Sequence, residues 1–201
     1  MRIPGVLLTL ALVLGTGSSA HADRALPSWE AHRGERALAT ALEAWARGDV
    51  RAAETAANIA VSMTPDRGAA WHILALSRLA LGRMEAAAET VEPLSRLAPE
   101  DVDVWLLRGR IATESGDARG ARRAYDEAAR RAPTDPRPLL GRALVAARID
   151  QDFPSMAAHL RSARVVDPAQ PDATLPLQAA WAPLATDERF LKALQSVLSD
   201  P

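Results

Sequence analysis

The sequence predicts an all-α chain: an α-solenoid of about four helix–turn–helix units with terminal capping helices. Three observations carry that expectation. Landmark residues recur in one phase, because Trp71 and Trp105, Gly48, Gly82 and Gly116, and Pro65, Pro99 and Pro133 are each spaced by 34 residues. Alanine, leucine and arginine dominate the stretches between them and favour helix. No stretch shows the apolar–polar alternation of a half-buried strand.

Residues 1–22 are expected to be a secretory signal peptide. Met1-Arg2 precedes an apolar run of nine residues, Val6 to Leu14, and Ala20-His21-Ala22 spells an A-x-A cleavage site with the cut after Ala22. That run is about half the ~20 residues a membrane-crossing helix needs, so a retained anchor is the alternative. Export would place the protein in the periplasm or outside the cell. Residues 23–33 form an N-terminal extension, with a helix expected from Ser28 and Trp29 covering the exposed end.

The repeating units are 34–67, 68–101, 102–135 and 136–170, with prolines at Pro65, Pro99, Pro133 and Pro168 spaced by 34, 34 and 35 residues. In each unit two helical stretches flank a break: "RGD" at 47–49, "LGR" at 81–83, "SGD" at 115–117. Glycine suits the break because helices commonly end on a residue at positive φ. Proline then stops the second helix, lacking an amide donor and clashing with the preceding turn. Asp66, Glu100 and Asp135 follow, where carboxylates favour a helix start. Small residues share the phase. Ala53, Ala87 and Ala121 recur in the second helices, and Ala41, Ala75, Gly109 and Ala143 in the first, where two helices approach closely. Trp71, Trp105 and Leu139 are expected to act as structural wedges in the wider part of that contact.

These units resemble the tetratricopeptide repeat, a 34-residue helix–turn–helix with W-x₂-L-[G/A], A-x₃-[large] and a closing Pro. The second repeat carries Trp71, Leu74, Ala75, Ala87, Val91 and Pro99; the third carries Trp105, Arg108, Gly109, Ala121, Tyr125 and Pro133. The first has Ala37 in place of the Trp but keeps Gly48, Ala53, Ala60 and Pro65. The fourth has Leu139, Ala143, Leu160, Ala163 and Pro168, with one extra residue near its turn and Asp150-Gln151 in place of the Gly. The first-helix tyrosine usual in the family is replaced by Ala44, Arg78, Ala112 and Ala146. The resemblance covers residues 34–168 and implies a right-handed solenoid of the exported bacterial type.

Residues 169–201 are expected to hold a degenerate half-repeat around Leu177 and Trp181, then a capping helix. Thr186 is its expected N-cap, and Phe190, Leu191, Leu194, Val197 and Leu198 form its apolar stripe.

No residue pattern announces chemistry. With no cysteine, disulfides, thiolate metal sites and a thiol nucleophile are excluded. His21, His32, His72 and His159 are scattered without an H-x₃-H pair. "PEDVDVW" at 99–105 lacks the Gly and distal Glu of a calcium loop, so its acids read as a helix start. A net charge of −1 supplies no field to gather nucleic acid. The Arg-rich "DARGARRAYDEAARRAP" spaces Arg122/Asp126, Arg123/Glu127, Asp126/Arg130 and Glu127/Arg131 four apart, predicting a self-paired, solvated convex face. No catalytic residue, cofactor or metal is expected.

The resemblance implies a partner-binding groove lined by the first helices. By repeat phase its residues are Leu38, Leu42, Trp45, His72, Leu76, Leu79, Leu106, Arg110, Glu114, Leu140, Leu144 and Arg148, with Thr113 beside them. A mostly apolar lining would take a partner's peptide or helix, with Arg110, Glu114 and Arg148 setting register; alternatively the chain's own terminus covers it. The expected function is a non-enzymatic adaptor or assembly factor of the bacterial cell envelope, binding another envelope protein. A structural subunit packed permanently in a larger envelope complex is the alternative.

Overall fold

The structure is a computed structural model that describes residues 28–167 and 181–199. The expected signal peptide and its cut after Ala22, together with Pro168 and Leu177, lie outside the described residues. Among the described residues the regular structure is entirely helical. The chain divides into two compact units, residues 1–77 and 78–201.

In the first unit, α1 (Ser28–Ala46) and α2 (Val50–Met63) form an antiparallel pair, and α3 (Gly68–Ala80) begins the next. Gly48 sits at φ 77° in the connecting turn, and Asp49 caps α2 by accepting the Ala52 N–H. Ala41, Ala56 and Ala57 are buried with Ile73 and Leu74, while Leu38 closes on Ala60 and Ala70. These alanines bring the helix backbones close, and Ala41 among them does so at the phase the sequence showed. Gly34 serves the same end, since a Cβ there would lie 2.6 Å from Thr64 Cγ2. Trp29 is 59% exposed and so does not seal the end as expected.

The second unit continues from the last turn of α3 through α4 (Met84–Leu97), α5 (Val102–Glu114), α6 (Ala118–Arg131), α7 (Arg137–Val145), α8 (Phe153–Val166) and α9 (Glu188–Leu198). Gly82 and Gly116 turn at φ 73° and 80°, and the helix stops at Ala98 and Ala132 directly precede Pro99 and Pro133. Tyr125 of α6 packs its ring between α5 and α7, where only glycine fits. A Cβ at Gly109 would be 2.6 Å, and one at Gly141 2.3 Å, from Tyr125 Cε1.

The fourth helical pair differs. Between α7 and α8 the residues Ala146–Asp150 form a π-helix, and Gln151 then adopts the left-handed conformation at φ 54°. A π-turn absorbs the one extra residue of the 35-residue spacing. Beyond it, Phe153, Met156 and Leu160 pack with Trp181, Phe190 and Val197 in one apolar cluster. The cap of α9 is Asp187, one residue after the expected Thr186, because its carboxylate reaches the N–H groups of Arg189 and Phe190. The expected stripe also splits. Phe190 and Val197 are buried, but Leu191 is 46% and Leu198 57% exposed.

Candidate functional site

The tryptophans are clasps as well as wedges. Trp71 Nε1 donates to the Pro65 carbonyl at 2.8 Å, and Trp105 Nε1 to the Pro99 carbonyl at 2.7 Å. Each indole therefore satisfies a carbonyl left open where the preceding helix has ended. Arg131 reinforces the second clasp, donating from Nε to Pro99 O at 2.7 Å while its guanidinium lies 4.7 Å from the Trp105 ring centroid. Both tryptophans are half-buried.

The expected groove residues divide into two groups. In the first unit Leu38 is buried, while Leu42, Trp45 and Leu76 are half-buried against the apolar cluster of α1, α2 and α3. His72 is half-buried on α3. In the second unit Leu79, Leu140 and Leu144 are buried, and Leu106 is half-buried against Ala121, Tyr125 and Val145. The mostly apolar lining is thus corrected: Leu38, Leu79, Leu140 and Leu144 belong to the core. The 34-residue phase identifies which helix face a leucine occupies but not how deeply the neighbouring second helix covers it.

What α5 and α7 leave on the surface is charged. Arg148, in the π-turn that extends α7, grips Glu114 of α5 through both guanidinium nitrogens, at 2.7 and 3.2 Å. Arg137 bonds Asp103 at 2.6 Å and Asp135, and these partners hold its pKa above the usual guanidinium value, Asp135 most strongly. Both cross-helix pairs join residues 34 apart, so consecutive repeats are tied register to register. Arg108 pairs with Glu92, and Arg142 with Asp126. Arg110 is the exception: exposed one turn from Leu106 and Glu114, it has no carboxylate partner among the described residues. Beneath it Thr113 is buried, and burial raises the Tyr125 pKa despite the nearby Thr113 hydroxyl and Arg110.

The expected self-paired face of α6 holds only in part. Glu127 pairs with Arg131 and Arg130, and the Arg131 bond holds its carboxyl below the usual range. Arg122 instead reaches Asp150, and Asp126 reaches Arg142. These contacts bound a cavity of about 360 Å³ between α6 and α8, with Ala146 in its lining. Sequence reasoning missed it. The available signals were the extra residue of the fourth repeat and the alanine at position 146.

The family model for the tetratricopeptide repeat matches residues 38–92 and 74–136. Residues 38–136 are thus similar to tetratricopeptide repeats. No curated protein matches the chain in sequence. A thermophilic tetratricopeptide-repeat protein of Thermus thermophilus is similar in structure, with 20% identity, 82% of this chain and 90% of that one covered, and a TM-score of 0.63. YrrB, a tetratricopeptide-repeat protein with an unusual peptide-binding site, is similar at 13% identity, covering 87% and 92%, with a TM-score of 0.58. The Thermobaculum terrenum O-GlcNAc transferase matches at 22% identity over 67% of this chain with a TM-score of 0.60, but the match spans only 26% of that enzyme's chain. At these identities the likeness establishes the fold, a helical solenoid.

Proposed function

We propose that this protein is a non-enzymatic adaptor or assembly factor of the cell envelope, holding a partner's peptide or helix along the first helices of its tetratricopeptide repeats. The carrying observation is Arg110. Each of Arg108, Arg137, Arg142 and Arg148 already holds a carboxylate, whereas Arg110 presents an exposed guanidinium beside Leu106. A partner carboxylate meeting Arg110 would add a charge-assisted bond, with the Glu114–Arg148 pair fixing register. The peptide-binding site of YrrB, on a similar fold, supports this mode of use. The envelope assignment rests on the signal-like residues 1–22.

The test is cross-linking capture from envelope extract with the tagged full-length chain and its Arg110→Glu variant. Loss of a captured protein only from the variant, with helicity unchanged by circular dichroism, supports the reading; equal recovery removes this face from the interaction. A structural subunit packed permanently in a larger envelope complex is the second reading, favoured by the exposure of Val165 (79%) and Leu198 (57%). Light scattering that finds a stable monomer would exclude it.

A further inference from the structure

The cavity between α6 and α8 lies beside the π-turn that sets the fourth repeat apart. Ala146, at the position where the family resemblance places a tyrosine, contributes only a methyl to its lining. The π-turn then carries Asp150 opposite Arg122 of α6, and Asp152 begins α8 at the cavity's edge. Gln151 holds the intervening left-handed position without the freedom of glycine.

The walls carry two guanidiniums, Arg122 and Arg142, and three carboxylates, Asp126, Asp150 and Asp152. A simple anion entering would face three carboxylates, and a simple cation would face both guanidiniums. A molecule with both charges a few ångströms apart can exchange with the Arg–Asp pairs at little net electrostatic cost, because each of its ends replaces one member of a pair. His159 adds a half-buried imidazole with no hydrogen-bond partner among the described residues. A neutral imidazole offers one donor and one acceptor to such a guest. Apart from Ala146 the lining is polar, which suits a small guest with a polar body.

We infer that this cavity is a binding site for a small zwitterion of the free α-amino-acid class, separate from the first-helix face. The site depends on the π-turn and on α6, α7 and α8, not on Arg110.

The experiment titrates the full-length protein calorimetrically with L-serine, and in parallel with acetate and ethylammonium, which carry the two charges on separate molecules. The His159 ring resonances are followed by NMR. L-Serine is expected to bind and shift those resonances, while acetate and ethylammonium leave them in place. Arg122→Gln and Asp150→Asn should each weaken L-serine binding by about tenfold or more, and Arg110→Glu should leave it unchanged. Three outcomes overturn the inference: an equal response to the separate ions, L-serine binding indifferent to both cavity variants, or no response to serine, glycine, glutamate or lysine.

Discussion

The third and fourth repeats are neighbours in one unit, yet they solve the same turn differently. The third turns at Gly116, φ 80°, where a Cβ would meet nothing within 4 Å. It fills the interior with Tyr125 between Gly109 and Gly141. The fourth takes one more residue, winds it into a π-turn, and places Gln151 at φ 54°. Beside that turn a cavity opens, lined by Ala146 and by the Arg122–Asp150 and Arg142–Asp126 pairs. One repeat places an aromatic ring against its neighbours' glycines; the other carries a polar recess framed by cross-helix ion pairs. A repeat fold can therefore vary its surface chemistry within a single unit without altering the helix-pair plan.

The comparison breaks most forcefully at Gly141. Gly141→Ala drives a Cβ into the Tyr125 ring and should cost about 1–3 kcal/mol, read as a lowered denaturant midpoint. In a Tyr125→Leu background the added penalty should nearly vanish, because the ring that creates the clash is gone. An undiminished penalty there would place the strain elsewhere.

The turns should respond with opposite signs. Gly116→Ala has space for its methyl but not the preferred backbone, and should destabilise by about 1 kcal/mol. Gln151→Gly relieves a left-handed non-glycine and should be neutral or stabilising by up to about 1 kcal/mol. Thermal melts of the two variants against the parent decide the matter, and a shared sign would mean that the π-turn does not impose its conformation on Gln151.

The smallest effect is on pH dependence. Burial, then the nearby Arg142, push the His159 pKa below its ordinary value, against the pull of Asp152; Arg122, Asp126 and Asp150 line the same cavity. The folded state then binds fewer protons than the unfolded chain just below the ordinary imidazole pKa of about 6.5. Stability contributed by neutral His159 is full above that value and declines as the pH falls through it. His159→Asn should flatten the loss of melting temperature between about pH 7 and about pH 5.5. An unchanged slope would assign the loss to other groups.

The sequence reveals the turns well because their chemistry is local. Positive-φ glycines and helix-stopping prolines need no knowledge of neighbours, and Gly48, Gly82 and Gly116 take the conformation their spacing implied. Close-packed Ala53, Ala87 and Ala121 are legible for the same reason, being fully buried at a constant step. Gly141 was not, because its requirement is set by Tyr125, sixteen residues away on another helix. The partners of Arg122 and Asp126 were hidden likewise. Four-residue spacing describes what a helix can do alone, whereas these side chains reach Asp150 and Arg142 on other segments. An extra residue in the fourth repeat was visible, but its absorption into a π-turn depends on how α7 and α8 pack. On the first-helix face, the burial of Leu38, Leu79, Leu140 and Leu144 was not legible, because it is set by how the second helices cover them.

The indole clasps bear on how such an array comes apart. Trp71 and Trp105 fasten the entry of one repeat to the carbonyl at the exit of the one before. At the Pro133 junction the corresponding residue is Leu139, which has no side-chain N–H to give. In a chain whose stability is a sum of nearest-neighbour links, fraying starts at the least fastened one. After Pro133 the fastening is ionic, Arg137 on Asp103 and Arg148 on Glu114, so added salt should loosen that link first while the two tryptophan clasps, as built-in fluorophores, stay quiet.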